Sequence, residues 1–195
     1  ISPMLFAIFQ MMFAIITPAL ITGAFAERFK FTTYIVFLFV WVTVVYVPVT
    51  HWVWAADGWI AGIGALDFAG GIVVHASAGI AAIIVARMVG SRRQIERGVE
   101  PHNVPYVLLG TGLLWFGWFG FNAGSGLLAD RVAVTAFLVT NTSAAIAGLV
   151  WMVLEFQSTG RISGVGFATG QSPVWRRLHQ QQDSLVRWER LEFEL

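Results

Sequence analysis

The chain has 195 residues, 57% of them hydrophobic and 12% charged, with a mean hydropathy of +0.72. A soluble domain carries about 25% charged residues, so this composition cannot cover a water-facing surface and points to the bilayer as solvent. A net charge of +1 without a basic stripe excludes nucleic acid as a partner, and the lack of cysteine excludes disulfides and thiolate metal sites.

A membrane helix needs about 20 mostly apolar residues. Five stretches qualify: residues 4–26, 31–53, 68–86, 104–121 and 132–154. The predicted fold class is therefore all-α, a polytopic membrane protein with five transmembrane helices. Ile1 leads straight into the first stretch with no basic segment before it, which predicts a chain that begins inside a longer sequence. Pro18, Pro48 and many glycines interrupt the stretches. Membrane bundles tolerate this, because neighbouring helices re-satisfy freed backbone groups and small residues permit close packing.

Alternate loops carry the basic residues: Arg28 and Lys30, then Arg87, Arg92, Arg93 and Arg97, then Arg161. The opposite loops hold only Arg131. The positive-inside rule puts the basic loops in the cytoplasm, so the first helix is expected to run from outside to inside. Trp54, Asp57 and Trp59 then face the exterior. Trp41, Trp52, Trp54, Trp59 and Trp118 can each equally be read as interfacial anchors.

After Gly170 the character changes. None of the 20 glycines lies beyond it, while Arg176, Arg177, Asp183, Arg187, Glu189, Arg190, Glu192 and Glu194 do. Residues 179–191 can be back-translated so that a shifted reading gives Pro-Ala-Ala-Gly-Phe-Val-Gly-Pro-Met-Gly-Ala-Leu, a glycine-rich apolar run of the kind that should follow. Glu192 to Leu195 can be encoded by two adjacent cloning sites. The expectation is a membrane domain over residues 1–170 and an out-of-frame or vector-derived tail over residues 171–195.

Asp67 is read as the only acid within the apolar segments, in the run Gly64-Ala65-Leu66-Asp67-Phe68-Ala69-Gly70-Gly71. An Asp just before an apolar run suits a helix N-cap, and an ionisable group at membrane depth is also a candidate for function, here biasing a pore entrance towards cations. His75 follows eight residues later, about 12 Å deeper if the run is helical. A neutral imidazole both donates and accepts a hydrogen bond, which suits a small polar solute or a proton relay. His51 and His102 lie near helix ends and are read as interfacial. Gln10 sits among phenylalanines, and Phe119-Gly120-Phe121-Asn122-Ala123-Gly124-Ser125 gathers aromatic, amide and hydroxyl groups at a helix end.

Three segments together carry a resemblance: Gly23-Ala24-Phe25-Ala26-Glu27-Arg28, Asp67-Phe68-Ala69-Gly70-Gly71-Ile72-Val73-Val74-His75, and Gly117-Trp118-Phe119-Gly120-Phe121-Asn122-Ala123-Gly124-Ser125. In order and spacing the chain resembles the Amt/Mep/Rh family of ammonium transporters, and Trp54 favours the Amt branch. The resemblance implies the third to seventh helices of an eleven-helix transporter. It implies a vestibule in which Trp54 and Ser125 attract ammonium and Asp67 shapes the outer site. Phe13 and Phe121 would form a phenylalanine gate with Gln10 beside it, and His75 would be the first of twin pore histidines. The second histidine is expected on a later helix that the chain lacks, so the polypeptide by itself is expected to be inactive. The implied partners are ammonium or ammonia, the lipid bilayer, a homotrimer of the intact parent in the cell membrane, and a cytoplasmic PII-type regulator. No cofactor, metal or catalytic residue is expected. The alternatives are an Rh-type ammonia gas channel and an ammonium sensor on the same scaffold.

Overall fold

The computed structural model describes residues 1–91 and 101–170, and the described residues form helices and turns with no strand. The basic positions Arg92, Arg93 and Arg97 and the whole tail over residues 171–195 lie outside the described residues. The helices divide between two compact units, Ile1–Val99 and Glu100–Leu195.

In the first unit, α1 (Pro3–Ala19) starts on a Ser2 cap, whose Oγ accepts from the Leu5 N–H at 3.3 Å, and passes through Pro18 into a 3-10 turn, Thr22–Ala24. Glu27, with φ of 67°, reverses the chain. The second span is one interrupted rod: α2 (Phe31–Trp41), a π-helical turn (Val42–Tyr46) and α3 (Val47–Trp54). Pro48 explains the wide turn. It has no N–H to donate and its ring crowds the carbonyl four residues back, so the helix loosens there and the Val47 N–H reaches the Val42 carbonyl instead. After α3 the backbone becomes extended at Ala55, and the short α4 (Trp59–Gly62) follows. Gly58 lies so close against the carbonyls of His51 and Trp52 that any side chain there would overlap them. A second π-helical turn, Gly71–Ala76, opens the third span and runs into α5 (Ser77–Val89).

The core of this unit is Phe13, Ile21, Phe25, Trp41, Tyr46, Val53, Val73, Val74, Ala78 and Ala82. Trp41 is buried there, so it is a core residue and not an interfacial anchor; Trp52 and Trp59 are exposed, 6.1 Å apart between ring centroids. The Arg28 guanidinium donates to the carbonyls of Gly90 and Ala24, closing the end of α5 against the turn after α1.

The second unit contains α6 (Val104–Gly124), α7 (Arg131–Thr159) and α8 (Gly164–Gly170). Asn103 caps α6 and Asp130 caps α7, each accepting a backbone N–H at 3.0 Å. Stacked Phe119 and Phe137 (4.1 Å) and the Asn122 to Thr140 hydrogen bond (2.9 Å) join α6 to α7. Gly170 packs α8 on α7 where an added Cβ would meet the Trp151 side chain and the Ala147 carbonyl.

All five expected spans are present as helices long and apolar enough to cross a membrane: Pro3–Ala24, Phe31–Gly62, Gly71–Val89, Val104–Gly124 and Arg131–Thr159. Two boundaries differ instructively. The third span starts at Gly71 rather than at 68, because Asp67 and Gly70 hold the chain in a turn. The fifth runs five residues past 154, to Gly160 at φ of 69°, so Glu155 lies inside it. Asp67 is therefore not within a helical span, whereas Glu155 is.

Candidate functional site

The sequence-predicted residues fall in both units: Gln10, Phe13, Trp54, Asp67 and His75 in the first, Phe121 and Ser125 in the second.

Within the first unit, Asp67, Trp54 and Phe13 form one connected arrangement around the start of the third span, with His75 in the first turn of that span and Gln10 about one turn before Phe13. The Asp67 carboxylate accepts three backbone N–H groups, from Gly70 at 2.7 Å on Oδ1 and from Ile72 and Val73 at 3.0 and 2.9 Å on Oδ2. A helix leaves its first N–H groups without partners, and this side chain satisfies them from three residues before the formal cap, Gly70. Gly70 makes that possible. Its φ of 93° is the left-handed conformation that favours glycine, and a Cβ there would stand 2.5 Å from Val74 Cγ2. The Gly70 carbonyl in turn accepts from both Val74 (2.9 Å) and His75 (3.0 Å), so the first turn is wide. His75 thus stands one turn into the helix, not two turns beyond Asp67, and its side chain is exposed in this chain.

Asp67 also fixes Trp54. Its backbone carbonyl accepts the indole Nε1–H at 2.9 Å. The half-buried indole meets Phe13 nearly perpendicularly, with ring centroids 5.4 Å apart, and Phe13 meets Phe9 at 5.0 Å in the same manner. Such edge-to-face contacts align the positive edge of one ring with the negative face of another. Phe13 is 2% exposed, so the ring is held in a closed apolar setting. Gln10 precedes it by about one turn, half-buried, with an Oε1 that is enclosed and takes no hydrogen bond from the described residues.

Within the second unit, Phe121 stacks on Trp118 at 4.6 Å in the last turn of α6, about one turn before Ser125, the helix cap. The Ser125 hydroxyl donates to the Phe121 carbonyl at 2.8 Å. Its proton is committed to the backbone, and its oxygen keeps lone pairs for a donor such as an ammonium N–H.

Sequence reasoning missed Glu155. Its carboxylate accepts from the Ser163 N–H at 3.1 Å and the Ser163 hydroxyl at 2.7 Å, while Ser163 Oγ accepts from the Gly166 N–H at 2.8 Å. A side chain at 166 would collide with that carboxylate, so Gly166 is required. The spacing from Glu155 to Ser163 carries no motif. The available signal was an acid followed within a dozen residues by Ser-x-x-Gly at a helix start.

These are the helices of a polytopic membrane protein, with Asp67, Asn103, Asp130 and Glu155 tied to helix starts. The sequence matches the Ammonium Transporter Family over residues 1–171. The chain belongs to that family. It is 51% identical over 168 residues to the ammonium transporter Amt1 of Archaeoglobus fulgidus, covering 86% of this chain and 42% of that protein. It is 48% identical over 166 residues to an ammonium transporter of Bacillus subtilis, covering 85% and 41%. Among solved structures it is similar to crystalline Mep2 of Candida albicans, with a TM-score of 0.82 and 41% identity over 88% of this chain and 39% of that one. The chain spans about two fifths of the length of the curated relatives it matches.

Proposed function

We propose that this chain supplies the outer capture site and the upper pore of an ammonium transporter of the Amt type in the cell membrane. The observation that carries the reading is the Trp54 indole, held by Asp67 and set square to the buried Phe13 ring. A fixed indole face attracts a small cation by roughly 0.5–2 kcal/mol, enough to collect ammonium and weak enough to release it. Ser125 adds a lone pair for an ammonium N–H. Phe13 and Phe121 are the gate, with Gln10 beside it. An ion is costly to strip of water in that apolar constriction, which favours neutral ammonia over the hydrated cation there. His75 donates or accepts a hydrogen bond to the neutral molecule below the gate, paired with a histidine from a span outside this chain.

The basic loops support an exterior position for Trp54. The intact transporter is a homotrimer in this reading, open to a PII-type regulator at its cytoplasmic loops. The membrane domain ends near Gly170. The family match stopping at residue 171, where the glycines also stop, supports a tail foreign to that domain.

The test is uptake of labelled methylammonium by cells lacking their own transporters. One strain carries the 195-residue chain, and another a chimera with residues 1–170 set into the matching stretch of the Archaeoglobus fulgidus transporter. Uptake by the chimera and none by the chain alone is expected. A well-inserted chimera without uptake would overturn the reading.

A further inference from the structure

Behind Phe13 the first unit buries a group of hydroxyls that the proposed pathway does not use. Thr17 is fully buried, and its hydroxyl donates to the Phe13 carbonyl at 2.6 Å. Tyr46 is 4% exposed, and its hydroxyl faces those of Thr50 and Thr17. Tyr46 Oη and Thr50 Oγ1 are enclosed, yet neither completes a hydrogen bond of full geometry. Thr50 also differs from Thr17, Thr43, Thr111, Thr135, Thr140 and Thr142, each of which donates to the carbonyl four residues back in its own helix. Two buried hydroxyls left without partners would be costly, so the hydroxyls that face them are their candidate partners.

Only one direction is open to them. The Thr17 proton is committed to Phe13, so Thr17 Oγ1 can only accept, and its donor must be Tyr46. Tyr46 Oη is then free to accept the Thr50 proton. The result is a chain of donation from Thr50 to Tyr46 to Thr17 to the carbonyl of Phe13. The local backbone gives the chain a purpose. Pro18 removes the N–H that would have bonded the Ala14 carbonyl, which weakens the turn of α1 carrying Phe13. The π-helical turn before Pro48 ends on Tyr46 and packs against α1, giving that turn an outside anchor.

We infer that Tyr46 is a positioning residue for the gate: through Thr17 it holds the backbone of Phe13, and so the Phe13 ring in its perpendicular contact with Trp54. The inference rests on the gate reading of Phe13. Tyr46 touches no substrate in this scheme.

The experiment uses the chimera with Tyr46→Phe, Thr17→Val, the double variant and Thr17→Ser, and normalises uptake to folded protein measured by size-exclusion chromatography. Tyr46→Phe and Thr17→Val should each lower maximal methylammonium flux several-fold with little change in half-saturation. The double variant should be no worse than the poorer single one, and Thr17→Ser should retain wild-type flux. If Tyr46→Phe does not fold, Thr50→Val removes the head of the chain at nearly constant volume and is read the same way. Wild-type flux per folded molecule in the variants, or losses that multiply in the double variant, would overturn the inference, leaving the hydroxyls a role in stability alone. Phe13→Ala separates the two levels. If it leaves transport unchanged, the gate reading falls and this inference with it. If it alters transport while Tyr46→Phe does not, only the positioning role is refuted.

Discussion

Asp67 offers the sharpest test, because helix capping and attraction of a cation make different demands on its carboxylate. Asp67→Ala removes the acceptor of three N–H groups, at 2.7, 3.0 and 2.9 Å. Gly70 and Val73 are buried, so water cannot easily replace the lost oxygen there, whereas Ile72 is only half enclosed. A lost cap costs about 0.5–2 kcal/mol, and a buried donor left unmade about 1–3 kcal/mol, so the total should be about 2–4 kcal/mol. Asp67→Asn keeps one acceptor oxygen for Ile72 and Val73 but turns an NH2 group towards the Gly70 N–H, and it should lose about half of that. The measurement is the melting temperature of the purified chimera, set beside half-saturation for methylammonium. Capping predicts a graded order in both, with wild type above Asn above Ala, because a frayed helix start also releases the carbonyl that holds Trp54. If Ala matches wild type in melting while transport is lost, the carboxylate acts on the cation directly and the capping account is refuted. If Asn restores both readouts in full, the negative charge has no part in transport.

Trp54→Leu in the chimera should raise half-saturation for methylammonium several-fold while changing maximal flux less, since a cation–π contact is worth roughly 0.5–2 kcal/mol; unchanged half-saturation would make Trp54 only a packing residue. Gly70→Ala should destabilise by about 1–3 kcal/mol, from its φ of 93° and the contact with Val74, and a melting curve identical to wild type would show that the turn relaxes. Glu155→Gln should keep most of the melting temperature, because an amide oxygen still accepts from Ser163, whereas Glu155→Leu should lower it clearly. Equal melting of the two variants would show that Glu155 does not hold the start of α8.

Much of this was readable because apolar length is a direct physical requirement of the bilayer. Each of the five stretches is long enough to span, and each is helical. The cap role of Asp67 was open to inference from an acid placed before an apolar run. The boundaries were harder. These helices are apolar on most faces, so periodicity does not mark their ends, and single side chain to backbone bonds decide them. Asp67 moved one start to Gly71, and Glu155, taken as the first residue beyond a span, proved to be within it. The π-helical turns were out of reach for a different reason. Pro48 signals a disturbed helix, but whether the chain kinks, breaks or widens depends on which carbonyl the next N–H finds. The link inferred from Tyr46 to Thr17 joins residues 29 positions apart, and no local pattern encodes it.

The two carboxylates also bear on how an acid beside an apolar span can be kept from acting as a bare charge. A bare carboxylate in a poorly solvated mouth would hold a cation tightly, and conduction needs binding weak enough to reverse. Asp67 gives its oxygens to the N-terminal end of a helix, where the exposed N–H groups carry partial positive charge. Glu155 does the same at the start of α8, its charge shared among a hydroxyl and a backbone N–H. In each case a glycine permits the arrangement, Gly70 through its backbone angle and its closeness to Val74, and Gly166 because a side chain there would push the carboxylate away. What remains in the first unit for a passing cation on the proposed pathway is the milder attraction of the Trp54 face. Replacing Gly70 should therefore do more than loosen a helix start: by releasing the Asp67 carboxylate on the proposed pathway it should strengthen retention of methylammonium by the chimera and slow its flux at saturating substrate, and an unchanged maximal flux would refute this.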